Sequence, residues 1–457
     1  MGLDDELTDP QCAALSLASH FAYGAAMGEI YRFATGRALP RGALSGMLFG
    51  MGVWSGSYLG LLPAFNILPP ATRHPERLDD SGAPRVGRVA RSTYSPFGKV
   101  PVMRQLLSRT AALATLAGGF YLARRALRPK SHYSFCNRTV LITGGARGLG
   151  LELARRLVDQ GARVAICART TDDIDRAVAE LHERGGAVLG IACDMAEQEQ
   201  VRSFVQTVHR MWGPIDVLIN NAGIIQVGPL AAMTVEDFEQ AMRVHFWGPL
   251  HAVHSVLPLM RDDQQGRIVN ISSIGGKISV PHLLPYCASK FALVGFSQGL
   301  RSELQRKGIY VTTVCPGLMR TGSPRNALFK GEHRAEYAWF SIGGSLPGLT
   351  ISSSSAAEQI LEACRRGDAE LVPGTAARAA VLLHGLIPGV SAALLSLTKQ
   401  LLPKAQDSST ETYRGFESFS EWSPSVLTEL TERAAAANNE LGEGPVASVH
   451  DPDRATR

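Results

Sequence analysis

Tyr286 and Lys290 stand four residues apart, the spacing that puts two side chains on one face of a helix. A phenol beside an ammonium is a pair that can move a proton. The ordinary phenol pKa of ~10 is too high for efficient exchange at neutral pH, and a nearby positive charge favours the phenolate. Pro285 precedes the tyrosine, and its fixed φ and missing N–H suit the first turn of a helix. Upstream, Ser273 follows the apolar run GRIVNIS, so its hydroxyl sits at a strand end. From there it can donate to an oxygen on which negative charge develops.

A second group of residues binds rather than reacts. The run RTVLIT leads into Thr143-Gly144-Gly145-Ala146-Arg147-Gly148-Leu149-Gly150, and the helical stretch LELARRLVDQ follows. Glycines are needed where the chain turns sharply and where backbone approaches a pyrophosphate at a helix N-terminus, whose amides and dipole attract anions. With a strand before it, a helix after it and a second strand ending some twenty-odd residues on, the loop reads as a dinucleotide site. At that second strand end a carboxylate would take the ribose 2′-hydroxyl of NAD. Arg169 stands there instead, a cation suited to the 2′-phosphate of NADP, with Arg147 as a second positive contact. Asp172 and Asp173 lie beyond the strand end. NADP(H) is therefore expected in preference to NAD(H).

These residues need elements to hold them. From about residue 137, apolar runs (RTVLIT, ARVAICAR, AVLGIACD, IDVLIN, GRIVNIS, IYVTTVC) alternate with helix-length stretches. Near-continuous apolar strands between helices predict an α/β domain with a doubly wound parallel sheet, Rossmann-type, over 137–375.

Over that span the chain resembles the short-chain dehydrogenase/reductase family. TGGARGLG is similar to its glycine loop, and Asp194 to its adenine-contacting acidic residue. Asn220-Asn221-Ala222-Gly223 is similar to its NNAG segment, Ser273, Tyr286 and Lys290 to its serine and YxxxK, and Pro316-Gly317 with Thr321 to its loop after the sixth strand. The resemblance implies that Tyr286 gives the proton in reduction and takes it in oxidation. It also implies that Lys290 holds the nicotinamide ribose, and that Asn221, Ala222, Gly223, Pro316, Gly317 and Thr321 contact the cofactor. One position departs. Where the family presents Asn in a pattern like VNxxG, this chain reads Val244-His245-Phe246-Trp247-Gly248. The Asn supports a water relay to the lysine, and His245 is expected to keep a modified one, since a neutral imidazole both donates and accepts. The rival is a catalytically impaired nucleotide-binding membrane scaffold. His251 and His254, spaced i,i+3, lack a carboxylate or thiol to complete a metal site, so no metal is expected.

Phe329, Tyr337, Trp339 and Phe340 follow the Pro316-Gly317 loop, where the family places its substrate lid, and they read either as lid residues or as simple core packing. As lid residues, together with the N-terminal membrane module and the apolar 377–403 segment, they favour a hydrophobic alcohol, ketone or aldehyde as substrate.

Composition bounds the remainder. With 457 residues, 45% hydrophobic and 19% charged, the chain is too apolar to be mostly disordered. A diffuse net charge of +5 gives no nucleic-acid footprint. Seven scattered cysteines without a CxxC pair argue against a disulfide framework or zinc. Residues 1–69 hold two apolar stretches with glycines at four-residue spacing, expected to form a transmembrane helical hairpin; SHFAYGAAMG and VWSGSYLG resemble a bacterial membrane-protein family of unknown function. A polar linker (70–104) and an apolar, interfacial helix (105–130) follow. An apolar extension (376–403) and a polar tail (404–457), expected to be exposed with one helix at about 424–440, close the chain. The expected location is a bacterial inner membrane with the reductase domain cytoplasmic, and self-association into a homo-oligomer stays open.

Overall fold

A computed structural model describes residues 133–261, 265–399, 402–403 and 409–441. The expected hairpin, linker and interfacial helix (1–69, 70–104 and 105–130) lie outside the described residues. In chain order the elements begin β1 (Thr139–Thr143), α1 (Gly148–Val158), β2 (Arg163–Ala168), α2 (Thr171–Glu183), β3 (Ala187–Ala192), α3 (Gln198–Trp212) and β4 (Val217–Asn220). The short β5 (Gln226–Val227) comes next. After it come α4 (Val235–Met242), a π-helical turn (Arg243–Trp247), α5 (Gly248–Val256), β6 (Arg267–Ile271), α6 (Leu284–Leu304) and β7 (Tyr310–Val314). Then follow β8 (Met319–Arg320), β9 (Leu328–Phe329), α7 (His333–Ser345), β10 (Ile351–Ser352), α8 (Ser353–Arg366) and β11 (Glu370–Leu371). Helices α9 (Thr375–Leu386) and α10 (Pro388–Thr398), strand β12 (Tyr413–Arg414) and helix α11 (Glu429–Ala437) complete the series.

Seven strands form one sheet in the order β11-β7-β6-β4-β1-β2-β3, and every pairing in it is parallel. Side chains alternate across it, as strand geometry requires. Val140, Ile142, Val164 and Ile166 pack against α1, α2 and α8 through Leu153, Leu157, Ile174, Leu181 and Ile360. On the other face Leu141, Ala165, Leu218 and Ile268 meet α3 and α5 through Val201, Phe204, Val205 and Val253. Both faces are covered, which is why the strands read as continuous apolar runs rather than alternating ones.

Two polar arrangements fix this sheet. At the amino end, the buried Asp216 carboxylate accepts from Arg138 (2.7 Å), Arg261 (2.8 Å) and the Thr139 amide (2.8 Å), so its charge is compensated. Toward the carboxyl end, Asn220 Nδ2 donates to Asn270 Oδ1 (2.8 Å) and Asn270 Nδ2 to Ser297 Oγ (3.0 Å), while Thr313 Oγ1 bonds the same Ser297 at 2.7 Å. This ladder ties β4, β6 and β7 to α6 and sets the height of the helix carrying Tyr286 and Lys290.

The expected lid aromatics are corrected by their packing. Phe329 and Tyr337 are fully buried, edge to face at 5.5 Å, in a satellite core with Val227, Leu283 and Cys287. Trp339 is partly buried against the same core and donates to Glu336 (2.6 Å), and Phe340 meets Phe329 at 6.1 Å. None of the four lines the cleft described below. Their bulk is satisfied by burial against one another and against the back of Tyr286.

The expectation of an exposed tail is corrected too. β12 adds an antiparallel strand to β9 (Tyr413 opposite Phe329), and Tyr413 stacks on His333 at 3.9 Å. Helix α11 falls inside the expected 424–440 span. Its Glu432 makes a buried ion pair with Arg325 (2.8 Å), and Thr431 is hydrogen-bonded to Ser345. No helix among the described residues is long and apolar enough to cross a membrane.

Candidate active site

The strand order reverses between β1 and β4: the chain winds outward through β2 and β3, then returns to build the other half. Crevices at the carboxyl ends of strands beside such a reversal take ligands in open α/β sheets. A cleft lies there, lined by Gly144, Arg147, Gly148 and Leu149 of the loop after β1 and by Arg169 after β2. Asp194 after β3 also faces it, as do Asn221, Ala222 and Gly223 after β4, and His245, Tyr286, Lys290 and Thr321. The sequence-nominated residues Thr143, Gly150, Ser273, Pro316 and Gly317 are not on its wall.

The glycine loop is closely built. Gly144 has φ +64°, and a Cβ there would stand 2.8 Å from the Ala222 Cα. At Gly150 a Cβ would meet the Gly144 carbonyl oxygen at 2.1 Å, so the first turn of α1 can press against the loop only without a side chain. Thr143 Oγ1 accepts from the amides of Asn221 (3.0 Å) and Ala222 (3.1 Å), and Asn221 Nδ2 donates to the Gly144 carbonyl (2.8 Å). These bonds lock the two strand ends together. The amides of Leu149 and Gly150, at the positive end of α1, make no hydrogen bond among the described residues. A cradle of glycines under free helix N-terminal amides fits a pyrophosphate.

Arg169 is exposed on the cleft wall and makes no ion pair or hydrogen bond among the described residues. Arg147 is committed: it donates to Asn326 Oδ1 (2.8 Å) and lies 3.8 Å from Asp173. Asp194 Oδ1 accepts from the Ala196 amide (2.9 Å) and so shapes its own turn while facing the cleft.

Tyr286 and Lys290 project from the first turns of α6, with the ammonium 5.7 Å from the phenol ring centre. Ser273 Oγ accepts from the Gly275 amide (3.0 Å), and its hydroxyl acts on Tyr286 to lower the phenol's pKa. Pro316 holds this corner through its carbonyl, which accepts from the Ile274 amide at 2.7 Å. Gly317 lets α9 approach, since a Cβ there would lie 2.7 Å from the Ala377 Cβ. Thr321 Oγ1 bonds Ser323 Oγ (2.8 Å) at the cleft edge.

Burial dominates the protonation of this pair. The Tyr286 hydroxyl is pushed up to about 12 by loss of hydration, against the pull of Ser273. Burial lowers Lys290 to about 8, and its Nζ donates to the Ile271 carbonyl (2.9 Å). The expected ease of forming the phenolate is thus not a property of the protein alone. Positive charge brought into the cleft would have to supply it.

His245 sits on the π-helical turn, fully buried and edge-on to Tyr286 at 5.5 Å. Its Nε2 accepts from the Ile224 amide (3.1 Å), and its Nδ1 lies 2.8 Å from Ser289 Oγ, which itself donates to the Pro285 and Tyr286 carbonyls. That network assigns the proton to Nδ1. Burial, and then the Lys290 charge, hold the ring's pKa well below the usual histidine value, so it is neutral. Both ring nitrogens are engaged, and neither is left for a relay water. The relay expected of His245 is corrected to a positioning role: it pins the first turn of α6 to the segment after β4. Ser289, one residue before Lys290, was missed by sequence reasoning, as were Asn326 and Glu440, which come from loops with no motif around them.

A sequence model described as short chain dehydrogenase matches residues 138–328. "Putative ketoacyl reductase" of Streptomyces coelicolor is 40% identical over 187 residues, covering 40% of this chain and 72% of its own length. The chain belongs to the short-chain dehydrogenase family. "Dehydrogenase/reductase SDR family protein 7-like" of Anopheles gambiae is 33% identical over 260 residues, 55% of this chain and 80% of its own. Among solved structures, an actinorhodin polyketide ketoreductase variant with NADPH has a TM-score of 0.48 and 34% identity, covering 52% of this chain and 96% of that one. As a family member the chain is an oxidoreductase with a Rossmann-type parallel sheet, and the match begins at the first strand, after the N-terminal segment.

Proposed function

We propose that this short-chain dehydrogenase uses NADP(H) to interconvert a hydrophobic secondary alcohol and its ketone, or an aldehyde and its alcohol. One observation carries the reading: Tyr286 and Lys290 face the same cleft as the glycine loop, with Arg169 free at the end of β2. The cofactor, when bound, supplies or accepts the hydride. Tyr286 gives the proton to the carbonyl oxygen in reduction and takes it back in oxidation, while Ser273 donates to that oxygen as charge grows on it. Lys290 brings positive charge beside the phenol, and Arg169 offers the cation a 2′-phosphate requires. The Streptomyces relative's name supports carbonyl reduction. The rival scaffold reading rested on His245, and a neutral, pinned imidazole leaves Tyr286 and Lys290 in place.

The same proposal seats the protein on a membrane, at the cytoplasmic face of a bacterial inner membrane. Besides the N-terminal apolar stretches, α9 and α10 support this. Residues 379–398 include no Asp, Glu, Lys or Arg, and Leu382, Leu386, Val390, Leu394 and Leu397 are exposed. Helices apolar all round need a partner or lipid.

Turnover of hydrophobic ketones by the full chain tests the activity. Tyr286→Phe should abolish turnover and leave NADPH binding unchanged, because the ring packs and only the hydroxyl transfers the proton. Arg169→Asp should weaken NADPH binding roughly 10–100-fold and spare NADH, from the loss of a charge-assisted phosphate bond. Equal affinities for the two cofactors in the native chain would overturn the NADP assignment, and full activity in the Phe variant would overturn the tyrosine's role.

A further inference from the structure

The polar tail enters the cofactor cleft. After α11, Asn438 takes up the Gly148 amide with its carbonyl (2.9 Å), and Asn439 Nδ2 donates to the carbonyls of Ala146 (2.9 Å) and Asp173 (3.0 Å). Glu440 then turns inward, 4% exposed, and its Oε2 accepts from the Gly322 amide at 2.6 Å. Its other oxygen lies 3.0 Å from where a Cβ of Gly148 would be. Gly148 is in the left-handed region (φ +58°) at the start of α1, and Gly322 follows Thr321 across the cleft. The Glu440 carboxyl group is therefore bonded to the Gly322 loop and packed against Gly148 beside the anion cradle, and the Asn438 carbonyl takes the Gly148 amide.

Gly322 is fitted to this contact: a Cβ there would strike the Glu440 Cβ at 2.5 Å and the Ala435 Cβ at 2.7 Å. Nearby charge is mixed. Arg147 favours the ionised carboxyl, Asp173 at the start of α2 is tied to Arg147 and Arg176, and Arg325 is paired with Glu432. Burial outweighs Arg147 and raises the Glu440 pKa to about 7. With the tail in place the cleft encloses about 270 Å³, at or below the ~300–1,000 Å³ usual for small-molecule sites.

We propose that Glu440 is an affinity-setting residue of the dinucleotide site: its carboxyl group stands in for the pyrophosphate between Gly148 and Gly322, and the cofactor must displace it to bind. This rests on the dinucleotide reading of the cleft. The Glu440 side chain and a pyrophosphate cannot fill the same space, so the tail-bound form is the closed form and the measured affinity falls by the fraction of molecules in the open one.

The test is titration of the full chain with three probes. ADP-ribose contains the pyrophosphate, NADPH contains it with the 2′-phosphate, and adenosine 2′-phosphate lacks it. Glu440→Gln keeps an oxygen for the Gly322 amide and removes the charge; Glu440→Ala removes both. The Ala variant should bind ADP-ribose and NADPH about tenfold or more tightly, the size of effect expected when a minor open state becomes dominant, with adenosine 2′-phosphate unchanged. The Gln variant, which keeps the Gly322 bond and has no charge to bury, should show no gain. Unchanged or weaker ADP-ribose binding in the Ala variant would overturn the proposal. If that variant does not fold, the native chain decides: its ADP-ribose affinity should rise from about pH 6 to about pH 8 as Glu440 ionises and leaves its buried position, and a flat profile would overturn the proposal. A native chain that binds ADP-ribose, with no gain in the Ala variant, leaves the dinucleotide reading standing and removes the role of Glu440. Binding of ADP-ribose by none of the three proteins sinks both.

Discussion

Two C-terminal regions behave opposite to their composition. The α9–α10 pair is the more apolar, yet Leu382 is 64% and Leu386 79% exposed, and its few polar groups satisfy one another, as His384 does with Ser391 (2.7 Å). The segment from Tyr413 to Glu440 is rich in Ser, Thr, Glu and Asn, yet Ser418, Thr428, Thr431, Asn438 and Glu440 are buried. Apolar character gives a drive to leave water but supplies no partner. Burial of a polar segment is tolerated when each group finds a bond, and here Asn438 alone engages Gly148, Arg155 and Ser353.

The largest expected effect falls on the tail. Glu432→Ala leaves the Arg325 guanidinium buried without its carboxylate, which should cost about 3–5 kcal/mol in urea unfolding. A loss under about 0.5 kcal/mol, the range of ordinary surface changes, would mean that the tail is a passenger.

Next comes the pH dependence of Glu440. Its folded pKa, about 7, lies above its ordinary 4.5, so the ionised form is the one burial penalises. Stability should therefore be greatest below the unfolded pKa and decline as pH rises from about 4.5 to about 7, by on the order of 3 kcal/mol at 1.36 kcal/mol per unit. The Glu440→Gln chain should lack this slope. Parallel pH profiles for the two chains would contradict a buried carboxyl there.

The smallest effect on stability belongs to the apolar pair. Leu386→Lys should change the unfolding free energy by no more than about 0.5 kcal/mol, as at an exposed site, while lowering sedimentation of the full chain with anionic lipid vesicles. If the substitution costs several kcal/mol without lipid, or leaves vesicle binding intact, the two regions differ less than their exposure indicates.

Much of the catalytic domain is legible in the sequence. The apolar runs specified parallel strands because burial on both faces demands continuous hydrophobicity. The glycine loop, Tyr286 and Lys290 could be paired from spacing because a helix turn and a strand–helix turn are local geometries. Ser273 was placed by the strand it ends. Tertiary structure decided what depends on distant neighbours. Phe329 and Tyr337 became core because each found the other, and the protonation of Tyr286 and Lys290 is governed by burial that no local pattern records. The bonds to Ile224 and Ser289 took both nitrogens of His245 away from any relay. Glu440 reached the cofactor cleft from nearly three hundred residues along the chain beyond Gly148. Sequence periodicity carries short-range geometry; which charge faces which cavity is set only when the chain has closed on itself.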